Sequence, residues 1–358
     1  SQLIEKGRNI AATHKAFEYF TEDMLDKIRK AEYTLFIDES LGFVEKLNYH
    51  ETDLSLLVRA GYLKEQNQKY EVIDNSYDGE LCRDLFRTIR SRELFRYRDQ
   101  GNQETFAYWV LPPKLIDSFE TVFVLTYLFE GQDIHHMFHM YGLKYEFVGI
   151  VIGEDGRHRF DPEKCYMPKY TGYIDSYIHI LDHKRLNAIG DGYYNLSESW
   201  YNRNHAGVEI LKKNITNYFK NIMNEIPAKE RMWGTYKSFV PALASKVYAT
   251  KHVIFNERAT NQYKDRIVLA YPVNLFMNTG IKNLYAKHGV ETSNDKYALS
   301  VMVQWIWRSA IRDGKEIYIY LPSSRMRQLL IDWMNDVKRQ YIAWAGSTEK
   351  DGRDDEQV

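Results

Sequence analysis

The stretch from Asn9 to Glu39 leaves few folds open to this chain. It reads as a short buried strand at 9–14, Asn-Ile-Ala-Ala-Thr-His, a helix from Thr21 to Lys30, and a second strand, Tyr33-Thr34-Leu35-Phe36-Ile37-Asp38-Glu39. Thr21 is suited to cap the helix. Glu22 and Asp23 occupy its first turn and Lys27, Arg29 and Lys30 its last, matching the helix dipole. Met24, Leu25 and Ile28 form its inner face. Strand, helix and strand with short joints is the pattern of a parallel βαβ unit, so the fold class is α/β. The second strand also delivers two acids at its carboxyl end. That is where many phosphate-hydrolysing α/β folds place one carboxylate on Mg²⁺ and another beside the attacking water.

A chain of 358 residues suits two domains, since single cores stop growing at roughly 250 to 300 residues. The first is expected over 1–150. It carries an insertion at 50–110 with helices near Thr52–Ala60 and Gly79–Leu94 and a hairpin about Gln100-Gly101-Asn102. The β-branched run Thr121-Val122-Phe123-Val124-Leu125-Thr126-Tyr127 then reads as a further parallel strand, and a helix near 134–141 and a strand near 145–152 reach the boundary. The second domain is expected over 151–345. A helical insertion spans 153–250, its first part turn-rich and its later part a long helix over 197–225 capped by Ser197. Strands at 251–255 and 316–321, a helix bearing Gln304 to Arg312 and a helix at 325–338 follow. The polar tail 346–358 reads as disordered.

Bulk properties narrow the function. Formal net charge is -1 with 27% charged residues, so contact with nucleic acid has to come from a local patch. Aromatic residues make up 15%, with 28 Tyr and 7 Trp, enough to stack on bases as well as fill a core. Cys82 and Cys165 are far apart, which argues against a disulfide framework and a thiolate zinc site. His136 and His139 are three apart next to His135, but no third ligand has matching spacing, so a structural role is the better reading. No apolar run is long enough to span a bilayer, and the amino end lacks a signal-peptide pattern. Arg83, Arg87 and Arg90 share a helical face and form the candidate nucleic-acid patch of the insertion.

The order of these landmarks resembles superfamily 2 helicases of the DEAD/DEAH type, in particular helicase-family proteins of phages and their bacterial hosts. Ala11-Ala12-Thr13-His14-Lys15-Ala16-Phe17 falls before the Asp38-Glu39 acid box. Leu125-Thr126-Tyr127 follows at the place of motif III, Asn256-Glu257-Arg258-Ala259-Thr260-Asn261 with Asp265 at motif V, and Gln304-Trp305-Ile306-Trp307-Arg308-Ser309-Ala310-Ile311-Arg312 at motif VI. The resemblance implies two RecA-like domains with parallel sheets, the first incomplete, plus helical and hairpin insertions.

It also implies roles for individual residues. Asp38 would hold Mg²⁺ through water, Glu39 would polarise the hydrolytic water, and Thr13 and Lys15 would touch a nucleic-acid phosphate. Thr126 would couple nucleotide state to strand binding, and Arg258, Thr260 and Asp265 would lie near phosphate or nucleic acid. Gln304, Arg308 and Arg312 would face the ATP, with an arginine finger worth roughly 10³ to 10⁵ in rate. The acid box ends in Leu41, and three residues separate the two arginines, which makes Arg308 the expected finger. No G-x-x-x-x-G-K-[ST] loop occurs, and the sequence begins at Ser1, so the phosphate-binding strand, loop and helix are expected upstream and the chain by itself is expected not to hydrolyse ATP.

The function expected from the resemblance is ATP- and Mg²⁺-dependent movement on single-stranded or duplex nucleic acid, DNA rather than RNA. It would act in the cytoplasm of a bacterial or phage-infected cell without a membrane partner. A non-catalytic nucleic-acid-binding or partner-binding protein of the same shape is the alternative, and a nuclease using Asp38 and Glu39 ranks last.

Overall fold

The computed structural model of the chain describes residues 2–38, 44–47, 51–67, 69–91, 93–98, 105–110, 112–153, 155–162, 165–255 and 262–354. They form two compact units, Ser1–Lys144 with Met277–Ser293 and Tyr145–Phe276 with Asn294–Val358. The division expected near residue 150 lies between 144 and 145, and a later segment of the chain returns to the first unit.

In the first unit, α1 (Glu22–Lys30) leads into β1 (Thr34–Asp38). The Thr21 hydroxyl accepts from the Met24 amide at 3.3 Å, the cap that the sequence predicts. Residues 9–13 form no strand, which corrects the expectation for 9–14. Their side chains are exposed and the backbone joins no ladder, because Ile-Ala-Ala offers little apolar area to bury.

The insertion is more than two helices and a hairpin. β2 (Val44–Leu47), β3 (Leu63–Gln66), β4 (Lys69–Val72), β5 (Glu93–Arg98) and β6 (Thr105–Val110) make an antiparallel sheet in the order β2-β6-β5-β4-β3. The predicted helices are α2 (Glu51–Arg59) and α3 (Arg83–Ser91). Leu54 and Leu57 of α2 and Phe86 and Ile89 of α3 share one core with Leu63, Tyr70 and Leu94.

β7 (Thr121–Leu125) pairs in parallel with β1, Asp38 opposite Leu125, as its β-branched run predicts. α4 (Asp133–Tyr141) ends on Gly142 at φ 66°, the left-handed cap. The helix Thr279–Lys287 belongs here too. The Tyr285 hydroxyl donates to the Asp133 carbonyl at 3.2 Å, and its ring lies 5.1 Å from that of His136.

The second unit begins with an antiparallel hairpin, β8 (Gly149–Ile152) and β9 (His158–Asp161), so the strand expected at 145–152 is a hairpin arm. Its main sheet is entirely parallel: β10 (Ile178–Ile180), β11 (Arg231–Trp233), β12 (Val268–Ala270) and β13 (Ile317–Tyr320), ordered β10-β13-β12-β11. Two of these strands lie within 153–250, so that stretch frames the sheet and is not an insertion into it. Residues 251–255 make a single bridge, His252 to Trp233, instead of a strand.

Helices cover both faces, as a parallel sheet requires. α5 (Glu198–Arg203) and α6 (His205–Asn217) bring Tyr201, Val208, Leu211 and Ile215 against Val268, Ala270 and Tyr320. Tyr271 points to the opposite face, where its ring lies 5.0 Å from Trp305 of α7 (Asn294–Ile306). α8 (Ser324–Asp354) continues far past 338, so the tail expected to be disordered is helical to Asp354, and 355–358 lie outside the described residues.

Candidate functional site

The first unit brings two of the predicted residues together. Asp38 closes β1 and is exposed, and Thr126 follows β7 directly, so both stand at the carboxyl ends of paired parallel strands. Thr126 is held in place: Gln132 Nε2 donates to its hydroxyl at 2.7 Å and to the Tyr127 carbonyl at 2.6 Å. The chain turns back at once through Leu128, at φ 56°, into α4. Glu39 lies outside the described residues.

The other predicted residues are dispersed. Thr13 is exposed ahead of the short 3₁₀ turn His14–Tyr19, on which Lys15 lies. Arg83, Arg87 and Arg90 share α3. Arg83 pairs with Glu80 at 3.6 Å and Arg87 with Asp84 at 3.2 Å, so two of the three cations are offset by neighbouring acids. Arg258 and Thr260 lie outside the described residues. Asp265 lines a cleft of about 620 Å³ with Lys229, Glu230, Arg266 and Lys315, at the amino ends of β11, β12 and β13. Ligands of open parallel sheets bind at the carboxyl ends, so this cleft is at the opposite edge.

The single helix expected to carry Gln304, Arg308 and Arg312 is corrected. α7 stops at Ile306, and Ala310–Asp313 form a separate 3₁₀ turn. The Ser309 hydroxyl donates to the Ile306 carbonyl at 2.6 Å and the Arg308 amide reaches back three residues to Trp305, which closes the helix. The two arginines therefore do not sit one turn apart on one face. Arg308 Nη1 donates to the Ile254 carbonyl at 2.8 Å.

A constellation that the sequence did not disclose occupies the carboxyl edge of the second unit's sheet. Arg325, 9% exposed, donates to Asn274 Oδ1 and the Leu275 carbonyl at 2.8 Å and to the Asn294 carbonyl at 2.9 Å, and pairs with Asp295 at 2.7 Å. Its guanidinium lies 4.4 Å from the centre of the Phe276 ring. Asn274 is fully buried, and its Nδ2 donates to the Tyr193 and Asn195 carbonyls at 2.7 and 3.0 Å. Gly190 is required here, because a Cβ would fall 2.1 Å from the Pro322 carbonyl oxygen. Behind this edge, burial drives the Tyr201 and Tyr271 phenols well above their ordinary range. Among the described residues, the buried Tyr271 hydroxyl finds no hydrogen-bond partner. Gly190-Asp191-Gly192-Tyr193-Tyr194-Asn195, a run of small and aromatic residues after the helix Lys184–Asn187, was the available signal.

Residues 172–334 match the YonV C-terminal Rossmann-like domain. Across 340 residues the chain is 33% identical to the SPbeta prophage-derived uncharacterized protein YonV of Bacillus subtilis (strain 168), covering 93% of this chain and 81% of that protein. The chain belongs to the YonV family. The matched domain contains the whole four-stranded parallel sheet, and its Rossmann-like description agrees with the α/β build. Strand order differs from the dinucleotide-binding halves, in which the first strand neighbours the second; in this YonV-family sheet it neighbours the fourth. No solved structure matches the chain. Among the described residues, no helix is long and apolar enough to cross a membrane.

Proposed function

We propose that the chain is the core of an ATP-dependent nucleic-acid helicase or translocase with two RecA-like domains, acting on DNA. The observation that carries the reading is that Asp38 ends β1 opposite Leu125 and Thr126 follows Leu125 at the end of the paired strand β7, in the sequence order of the helicase resemblance. The prophage relative supports a phage-borne role.

Mg²⁺ fits this edge as a one-carboxylate ion. It keeps most of its waters and takes one or two protein carboxylates with substrate phosphates. Asp38 stands exposed at the end of β1, a single carboxylate of the kind that shares Mg²⁺ with substrate phosphates. Bound there, Mg²⁺ would neutralise charge on the phosphates. Asp38 would orient the ion's water shell, and Glu39 would position the attacking water. Thr126, tied through Gln132 to the Tyr127 carbonyl, would transmit changes at the strand end to the turn before α4. Arg308 would have to exchange the Ile254 carbonyl for phosphate.

That last requirement favours a second reading, a nucleic-acid-binding or partner-binding protein of the same build that does not turn over ATP. In the natural full-length protein, Glu39→Gln should abolish nucleic-acid-stimulated ATP hydrolysis and keep nucleotide binding. Hydrolysis at the unaltered rate in the variant, or none in the parent, discards the motor and leaves the binding reading.

A further inference from the structure

We infer that the carboxyl edge of the second unit's parallel sheet is a stacking site for the unpaired bases of a single nucleic-acid strand, formed by Tyr193, Tyr194 and Phe276. The inference deepens the nucleic-acid part of the proposed function and is independent of its ATP part.

Tyr193 and Tyr194 are 55% and 67% exposed although they adjoin buried structure. Their ring centres are 4.8 Å apart at 88°, and Phe276 lies 5.7 Å from Tyr194 and 5.9 Å from Tyr193. The three rings thus present π-faces in more than one orientation, around an open edge instead of inside a closed pocket. An open edge suits successive bases of a strand better than a lone nucleotide, which is ordinarily engulfed.

The rings are held by the backbone beneath them. Asn274 grips the Tyr193 and Asn195 carbonyls through its side chain, and its own amide donates to the Leu196 carbonyl at 2.9 Å. Arg325 fixes Asn274 and lies over the inner face of Phe276. All of this is paid in folding, so a ligand would meet a preformed platform and lose little entropy in ordering it. The platform also lies where open parallel sheets bind ligands, outside the carboxyl ends of their strands.

Charge at the edge is mixed. Asp191 and Asp295 are acidic, but Asp295 is paired with Arg325, and the long helix α8 starts at Ser324, whose hydroxyl donates to the Asp191 carbonyl at 3.2 Å. The Asp295 charge is offset by Arg325, whereas Asp191 adds no attraction for a phosphate backbone. Recognition would therefore come mainly from the bases, with little sequence preference, because every base has a π-face.

The test uses the full-length protein without ATP and a fluorescent single-stranded oligothymidylate read by anisotropy. The double variant Tyr193→Ala/Tyr194→Ala should bind about ten-fold or more weakly, whereas Tyr193→Phe/Tyr194→Phe should stay within about two-fold of the parent. A strand of abasic sites should bind the parent about as weakly as the normal strand binds the alanine variant. Unchanged binding by the alanine variant, equal binding of the abasic strand, or no strand binding by the parent overturns the site. Competition by thymidine monophosphate at the same concentration as the strand overturns the strand as the source of the base. Glu39→Gln should leave this binding unaltered, so failure of the motor reading and failure of the stacking site are told apart.

Discussion

In the second unit every residue of β11 and β12 is buried, whereas in β1 only Ile37 is, and Phe36 stands 57% exposed against Phe123 with ring centres 5.0 Å apart. The better-covered strands are also the shorter, three residues each against five in β1. Length and β-branched content therefore do not decide how firmly a parallel strand is held here; coverage of both faces does. The second sheet has helices on either side, and the first has an apolar surface left open on one.

The comparison breaks most readily at Trp233, fully buried among Tyr201, Phe219, Leu243 and Tyr248, with its indole nitrogen donating to the Tyr248 carbonyl at 2.9 Å. Trp233→Ala should cost about 3 to 5 kcal/mol in urea denaturation through the cavity and the orphaned carbonyl. A cost below about 1 kcal/mol would mean that the second sheet is not held by burial.

A smaller effect tests whether the first unit carries a cost of its own. Desolvation pushes the Asp133 carboxyl, at the start of α4, up to about 6 from its usual 3.8. The unfolded chain releases this proton near pH 4 and the folded chain only near 6, so the folded form holds more protons between them and stability falls as pH rises through that window. Asp133→Asn should therefore stabilise the protein at pH 7 by about 3 kcal/mol and by little at or below pH 4. Equal gain at both pH values would assign the effect to something other than ionisation.

The smallest effect is expected at Phe36. Phe36→Ala removes a ring that is already largely in water, so its cost should stay below about 1 kcal/mol. A loss matching that of Trp233→Ala would show that a further layer covers this face in solution.

The amino-acid sequence disclosed the elements whose signals are local. Thr21 and the acids after it mark α1, the run Thr121–Leu125 marks β7, and Glu316–Leu321 contains β13. β10 and β11 escaped because three residues cannot display a period, and their burial comes from helices far along the chain. The single helix expected over Gln304 to Arg312 ends at Ile306; Trp305 and Trp307 continue an apolar pattern through a turn that Ser309 closes. The Asn274–Arg325 lock was illegible for a different reason: it joins residues 51 positions apart, and neither belongs to a spacing pattern.

The return of residues 277–293 to the first unit bears on how this chain can be dissected. The polypeptide passes between the units at 144/145, at 276/277 and again at 293/294. A truncation after Lys144 would strip the first unit of the helix that carries Tyr285, and an expression product starting at Tyr145 would bear that same helix as an orphan with its contacts unmet. Neither half can be obtained intact by one cut; a faithful excision of the Rossmann-like part must replace 277–293 with a short linker.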